Sequence, residues 1–136
     1  MERLVLERLR RTFVPHNGQA GFRANYSTMD QHYRLQNDLA RTRTNKSTRT
    51  VAFLDMVKAF DKVPIPHLLQ KVHAAGITGA AFRWIRAFLS GRSIRVVHHS
   101  DTGDWQSITG GVPQGCVLSP FLFLYISMTF TRSFLK

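Results

Sequence analysis

A chain of 136 residues with a hydrophobic share of 43% suits one domain with a packed core, which excludes a disordered tail and a low-complexity protein. Lysine and arginine outnumber aspartate and glutamate by 19 to 8, and the net charge of +11 favours nucleic acid over acidic protein or a membrane as the partner. The lone cysteine, Cys116, allows no internal disulfide, and no Cys/His spacing suits zinc. The composition is that of an intracellular protein and carries no signal that separates nucleus from cytoplasm.

The N-terminal third of the chain is predicted to form two helices separated by a loop. Apolar residues recur at helical spacing over residues 2–13, and residues 16–23 have the polar, glycine-containing composition of a loop. Ser27 or Thr28 can cap a second, weakly amphipathic helix that runs to about Thr44.

The middle of the chain changes from strand to helix. A polar, basic connection over residues 41–49 leads to residues 50–54, a short apolar run whose branched and aromatic side chains predict a buried strand. Residues 66–75 and 79–89 return to helical spacing, and the second of these segments has the clearer apolar face.

The last third is predicted to contain a hairpin and a helix. Residues 93–99 and 105–109 flank the turn signal Ser100-Asp-Thr-Gly103. Residues 117–130 are uncharged and mostly apolar, but this segment is shorter than the roughly 20 residues that cross a bilayer. A buried helix that starts at Ser119 and Pro120 is therefore favoured over a membrane span. The fold class predicted is α+β, with antiparallel strands packed with helices.

Asp55 directly follows the apolar run, where a buried strand would emerge. An ionised carboxylate is costly there unless it is paired or bound to a cation, and hard divalent cations prefer oxygen ligands. A helix cap is the other interpretation, because an aspartate before Met56 can accept backbone hydrogen bonds. The residues alone leave both interpretations open.

A second candidate site is the loop Gly110-Gly111-Val-Pro113-Gln114-Gly115. Its glycines let backbone approach a ligand closely, and its proline fixes the path of the chain. A tight turn before the last helix explains the same composition without a ligand.

Together these stretches resemble two consecutive signatures of reverse transcriptases, especially those of non-LTR retrotransposons of the jockey or LINE-like kind. Asp55-Met-Val-Lys-Ala-Phe60-Asp61-Lys-Val63 is similar to motif A, and Gly111-Val-Pro-Gln-Gly115-Cys-Val-Leu-Ser-Pro120 is similar to motif B. The resemblance implies a partial right-hand polymerase fold, incomplete at both ends. Residues 1–48 would form helices and a loop of the lower fingers, and residues 49–136 would form part of the palm.

The resemblance implies roles for five residues of these motifs. Asp55 would ligate the catalytic Mg²⁺ (or Mn²⁺) ions, and the backbone carbonyl of Met56 would be a further ligand. Phe60 would lie under the sugar as a gate against ribonucleotides. Gln114 and Gly115 would contact the incoming nucleotide.

Four further features can be interpreted in the same way. By resemblance Arg23 would contact a template or primer phosphate and Pro113 would lie beside the template base, although Arg23 also suits an exposed position on a surface loop. Asp61 is not a metal ligand in the family, and we interpret it as a cap or as a salt link with a nearby base. A basic cluster without interleaved aromatic residues is interpreted as a solvated connection. It consists of Arg41, Arg43, Lys46 and Arg49.

The resemblance also shows what this sequence lacks. Motif C, an aromatic residue followed by a small residue and two aspartates, has no counterpart, because all eight acidic residues precede motif B. One aspartate cannot hold two cations tightly. We therefore expect a truncated reverse transcriptase that is inactive as an isolated chain.

The resemblance also implies substrates, and two alternatives to a truncated polymerase stay open. The family's partners would be an RNA template, a DNA primer and deoxynucleotides, without a membrane, and no feature indicates an oligomeric state. One alternative is a noncatalytic basic remnant that binds RNA or DNA, with salt-dependent affinity. Another is a chain that does not fold stably, because its motif A strand lacks the usual neighbour.

Overall fold

In a computed structural model, which describes residues 1–134, the chain is a mixture of helices and short strands. The helices are α1 (Glu2–Thr12), α2 (Thr28–Thr44), α3 (Ile65–Ala74), α4 (Gly79–Leu89) and α5 (Ser119–Phe134). The strands are β1 (Arg92–Ile94), β2 (Val97–His98), β3 (Asp101–Thr102) and β4 (Gln106–Ile108). The α+β class is confirmed.

The chain divides into two compact units. The larger unit consists of Met1–Val14 and the chain from Lys58 onward, and the smaller unit is Pro15–Val57. These units do not coincide with the predicted fingers (residues 1–48) and palm (residues 49–136). The division into fingers and palm stays a prediction.

The larger unit has an apolar core formed by α1, α3, α4 and α5. Leu9, Leu68, Ile85 and Leu122 each come from a different one of these helices, and all four are fully buried. The helical spacing seen in the sequence therefore corresponds to real core-facing positions.

The first and last helices of this unit are joined by aromatic side chains. The ring of Phe13 lies 4.9 Å from that of Phe121 and 4.8 Å from that of Tyr125, measured between centroids. The Tyr125 hydroxyl lies 2.9 Å from Thr12 Oγ1 and donates to the Leu9 carbonyl. Burial raises the pKa of Tyr125.

The predicted hairpin is confirmed, in two short parts. Strand β1 pairs antiparallel with β4, with Arg92 opposite Ile108, and β2 pairs with β3 near the tip. Ile94 and Val97 are exposed, so the hairpin projects from the core. The last predicted helix is also confirmed, as α5. In the part of the chain that the structure describes, no helix has both the length and the apolarity needed to cross a membrane.

Local contacts define the smaller unit. Its helix α2 begins with a capping box, in which the Ser27 amide donates to Asp30 Oδ2 at 2.6 Å and the Asp30 amide donates to Ser27 Oγ. The Ser27 hydroxyl also donates to Asp30 Oδ2, at 2.9 Å, and the two hydrogen bonds from Ser27 to this carboxylate lower the pKa of Asp30. No residue of α2 is buried, so the helix depends on its cap and on local propensity.

The strand predicted at residues 50–54 is wrong. The structure has no strand at residues 50–56, and the side chains of Phe53 and Leu54 are 84% and 79% exposed. A strand needs a neighbour for its backbone hydrogen bonds, and the described residues provide none here. Apolar composition alone did not reveal this requirement.

Candidate functional site

The residues after the smaller unit form a tight turn. The Lys62 amide donates to the Lys58 carbonyl at 3.0 Å, and Lys58 has φ 54°, a left-handed conformation that is uncommon for a residue other than glycine. The ring of Phe60 stacks on that of Phe123 in α5, with centroids 4.9 Å apart and planes 10° from parallel. The turn thus fixes Phe60 against the last helix.

The glycine loop docks on this turn by backbone contacts. The Gly111 amide donates to the Val63 carbonyl and the Val112 amide donates to the Phe60 carbonyl, both at 2.9 Å. Gly111 has φ +75°, and a Cβ there would lie 2.8 Å from the Cα and the carbonyl oxygen of Asp61. Only glycine permits so close an approach. The sequence predicted that the glycines of this loop let its backbone approach a ligand; at Gly111 the backbone instead approaches another segment of the chain.

Arg92 holds the same loop by side-chain hydrogen bonds. Its Nε donates to the Leu89 carbonyl at 3.1 Å, and its Nη2 donates to the carbonyls of Gly110 and Gly111, both at 2.7 Å. One guanidinium therefore satisfies the end of α4 and fixes the glycine loop. Sequence reasoning missed this role, and the only signal was a basic residue just after a helix end.

A side-chain hydrogen bond also joins the two motifs. Gln114 Nε2 donates to Asp61 Oδ1 at 2.9 Å, across a separation of 53 residues. Asp61 was interpreted as a cap or as a salt link with a base, but its partner in the structure is a neutral amide. This contact orients the side chain of Gln114.

The turn, the loop and the start of α5 line an open cavity of about 440 Å³. The predicted nucleotide-binding residues Phe60, Gln114 and Gly115 lie together in its wall. Pro113 is in the same loop but is not among the described lining residues. Sequence reasoning assigned no role in this site to the five other lining residues, which are Lys58, Ala59, Cys116, Ser119 and Pro120.

Asp55 and Met56 belong to the smaller unit. Asp55 is exposed, and its Oδ1 accepts a hydrogen bond from the Met56 amide at 2.9 Å. No helix begins there, so the interpretation of Asp55 as a helix cap is wrong. Among residues 1–134 no group of three or more His, Cys, Asp or Glu side chains could hold a metal ion. The metal-binding role of Asp55 stays a prediction.

Arg23 is engaged within its own loop. Its Nη1 donates to the carbonyls of His16 and Gln19, at 3.4 and 3.2 Å, and its guanidinium lies 4.2 Å from the ring centroid of Tyr26. Arg23 is half-buried, so it is not the exposed arginine of the alternative interpretation. The basic cluster is exposed, and Arg49 Nη1 in this cluster lies 3.7 Å from Asp38 Oδ1.

Comparisons with known proteins agree with the motifs. Residues 1–136 match the sequence family described as reverse transcriptase (RNA-dependent DNA polymerase). The chain is 35% identical over 127 residues to the RNA-directed DNA polymerase from mobile element jockey of Drosophila melanogaster, and 33% identical to its counterpart in Drosophila funebris. Each alignment covers 90% of this chain and 14% of the relative.

Another relative is the probable RNA-directed DNA polymerase from transposon X-element of Drosophila melanogaster, 32% identical over 109 residues. That alignment covers 80% of this chain and 12% of the relative. The chain thus spans about one seventh or less of the length of these relatives. No solved structure matches it.

Proposed function

The chain belongs to the reverse transcriptase (RNA-dependent DNA polymerase) family, and we propose that it forms the part of a non-LTR retrotransposon polymerase that binds the incoming deoxynucleotide. The complete enzyme would copy an RNA template by extending a DNA primer with deoxynucleotides. In this proposal, residues 1–48 correspond to lower fingers and residues 49–136 to part of the palm of a right-hand polymerase.

The cavity between the turn and the glycine loop carries this proposal. A volume of about 440 Å³ is within the range usual for small-molecule sites, and the wall combines apolar surface with a few polar groups. Phe60 is held by its stacking on Phe123, so it presents a rigid surface suited to the sugar. Gln114 is oriented by Asp61 and lies in the same wall.

The charge of the cavity also suits a nucleotide. Lys58 is the one charged side chain among the described lining residues, and the chain as a whole carries a net charge of +11. Both features favour an anionic ligand over a neutral or cationic one. Arg23 and Pro113 are proposed to contact the template and primer strands.

The family is generally dependent on a divalent metal, and Mg²⁺ or Mn²⁺ would promote nucleotide addition. We propose Asp55 and the Met56 carbonyl as ligands. They do not amount to a complete site, since the described residues contain no cluster of ligating side chains and Asp55 Oδ1 already accepts a hydrogen bond from Met56. We therefore expect no primer extension by the 136-residue chain on an RNA template. Robust extension that Asp55→Ala abolishes would contradict this.

Nucleotide titrations test the proposed function directly. We expect the wild-type chain to bind dGTP more tightly than GTP, and Phe60→Val to reduce this preference by about tenfold, or roughly 1.4 kcal/mol, because the ring limits space at the 2′-hydroxyl. Phe88→Val is the matched control, since Phe88 stacks on Trp84 outside the cavity lining. Absence of dGTP binding, or an equal change in both variants, would contradict the proposal.

A further inference from the structure

One of the residues that line the cavity, Ser119, has a buried hydroxyl to which no role has been given. Ser119 lines the cavity and is 0% exposed. Its Oγ has no hydrogen-bond partner in the part of the chain that the structure describes. A buried hydroxyl without a partner destabilises a folded protein, so its presence calls for a compensating role.

Nearby hydroxyls show that local partners are readily found. Ser127, on the same helix, donates to the Leu124 carbonyl at 3.2 Å, and Thr12 donates to the Leu9 carbonyl at 3.0 Å. Each contact reaches back three residues along its own helix. Ser119 is the first residue of α5 and has no preceding helical turn of its own to bond to. Its partner must therefore come from outside these protein contacts, and a ligand bound in the cavity is one such partner.

The surroundings of Ser119 favour an anionic group as that partner. The N-terminal end of a helix carries partial positive charge, and Ser119 lies at the start of the sixteen-residue helix α5. The Glu2 carboxylate offsets part of this charge, because its Oε2 accepts a hydrogen bond from the Leu118 amide at 3.3 Å. Lys58 adds a full positive charge to the same cavity. A phosphate oxygen satisfies both the hydroxyl and these charges.

We propose that Ser119 is a ligand-contacting residue, whose hydroxyl donates a hydrogen bond to a phosphate oxygen of the nucleotide bound in this cavity. The proposal rests on the proposed function and adds to it the part of the nucleotide that lies against the start of α5. It also makes the hydroxyl unfavourable for the free protein and favourable for the complex.

Ser119→Ala should therefore weaken nucleotide binding without destabilising the free chain. We expect the melting temperature of the free chain to stay unchanged or to rise by roughly 3 °C, because the variant removes an unpaired buried hydroxyl. The affinity for dGTP should fall about tenfold, which corresponds to roughly 1.4 kcal/mol. A hydroxyl with a purely structural role would instead lower the melting temperature and leave the affinity unchanged.

Melting curves and nuclear magnetic resonance titrations of the 136-residue chain provide the test, with three probes. These are dGTP, deoxyguanosine without phosphate, and a short DNA oligonucleotide. Ser119→Ala should weaken dGTP binding alone, and Ser119→Cys, of nearly the same size, should do the same because a thiol is a weak donor. Ser127→Ala, a matched change on the same helix, should leave all three affinities unchanged.

Each of the other outcomes contradicts either the proposed function or the role proposed for Ser119. If the wild type does not bind dGTP, the proposed function fails. If the wild type binds dGTP and both Ser119 variants bind it equally well, only the role of Ser119 fails. An equal loss for deoxyguanosine excludes the phosphate as the partner. A loss confined to the oligonucleotide assigns the hydroxyl to a nucleic-acid backbone and overturns the nucleotide contact.

Discussion

Residues 51–63, which comprise motif A and the apolar run before it, have two halves that behave differently although they are adjacent in the sequence. The half from Lys58 to Val63 is joined to the glycine loop by backbone hydrogen bonds, by the close approach of Gly111 and by a side-chain contact to Gln114. The half over residues 51–56 has no regular structure, and its apolar side chains are exposed. A short sequence motif therefore need not fold as one piece.

The two halves differ because only one of them finds hydrogen-bonding partners in another segment among the described residues. The first half needs strand neighbours, which the described residues do not provide. The second half finds its partners about 50 residues away, in the loop before α5. In functional terms, the proposed nucleotide-binding residues lie together in one cavity, whereas the proposed metal ligand Asp55 belongs to no group of three or more ligating side chains among the described residues.

Gly111→Ala should break the ordered half most severely. The new Cβ would lie 2.8 Å from backbone atoms of Asp61, at a φ of +75° that alanine adopts poorly. We expect a loss of about 3 kcal/mol or more in the free energy of unfolding, measured by urea denaturation. Gly110→Ala is the matched control, because its Cβ would lie 3.8 Å from the nearest atoms, an ordinary contact. Equal losses in the two variants would refute the close approach.

Arg92→Ala should have the next largest effect. It removes hydrogen bonds to three backbone carbonyls, two of them in the glycine loop, and we expect the free energy of unfolding to fall by about 2 kcal/mol. Arg95→Ala is the control, since Arg95 lies 4.6 Å from the exposed ring of Trp105 and should contribute only about 0.5 kcal/mol. If the Arg95 variant is the less stable of the two, Arg92 does not hold the loop.

A double-mutant cycle measures the side-chain link between the motifs. Because the contact of Gln114 with Asp61 is exposed, we expect Asp61→Ala and Gln114→Ala to couple by only about 0.5–1 kcal/mol in stability. The same cycle, measured on dGTP affinity, should also be non-additive, since Asp61 acts through Gln114. Additive effects in both measurements would show that Asp61 does not orient the amide.

The smallest effects are expected in the other half, residues 51–56. Phe53→Ser and Leu54→Ser replace side chains that are already exposed, so the free energy of unfolding should change by no more than about 0.5 kcal/mol. Thermal denaturation of each variant measures this change, with Leu68→Ala, in the core, as the control that loses about 3 kcal/mol. A large loss in the Phe53 variant would mean that residues 51–56 are packed in solution.

The sequence predicted the parts of this protein that depend on local patterns. Apolar spacing located α1, α3 and α4, and the turn at residues 100–103 located the hairpin. The motifs grouped Phe60 with Gln114, and both lie in one cavity. These predictions succeeded because short stretches of sequence contain the apolar spacing, the turn residues and the family motifs on which they depend.

The failures have a common physical origin in contacts between distant segments. The strand at residues 50–54 was predicted from composition, but a strand requires a hydrogen-bonded neighbour. The contacts of Arg92 with Gly110 and of Asp61 with Gln114 span 18 and 53 residues, and no local pattern encodes them. The unpaired hydroxyl of Ser119 is visible only once the burial of its surroundings is known.

Amide hydrogen exchange of the 136-residue chain tests the contrast between the two halves most directly. We predict slow exchange for the amides of Gly111 and Val112, which donate to Val63 and Phe60, and for the Lys62 amide in the turn. The amides of residues 51–54, which have no regular structure, should exchange at nearly the rate of an unfolded chain. Comparable protection in both segments, or rapid exchange at Gly111 and Val112, would contradict the account.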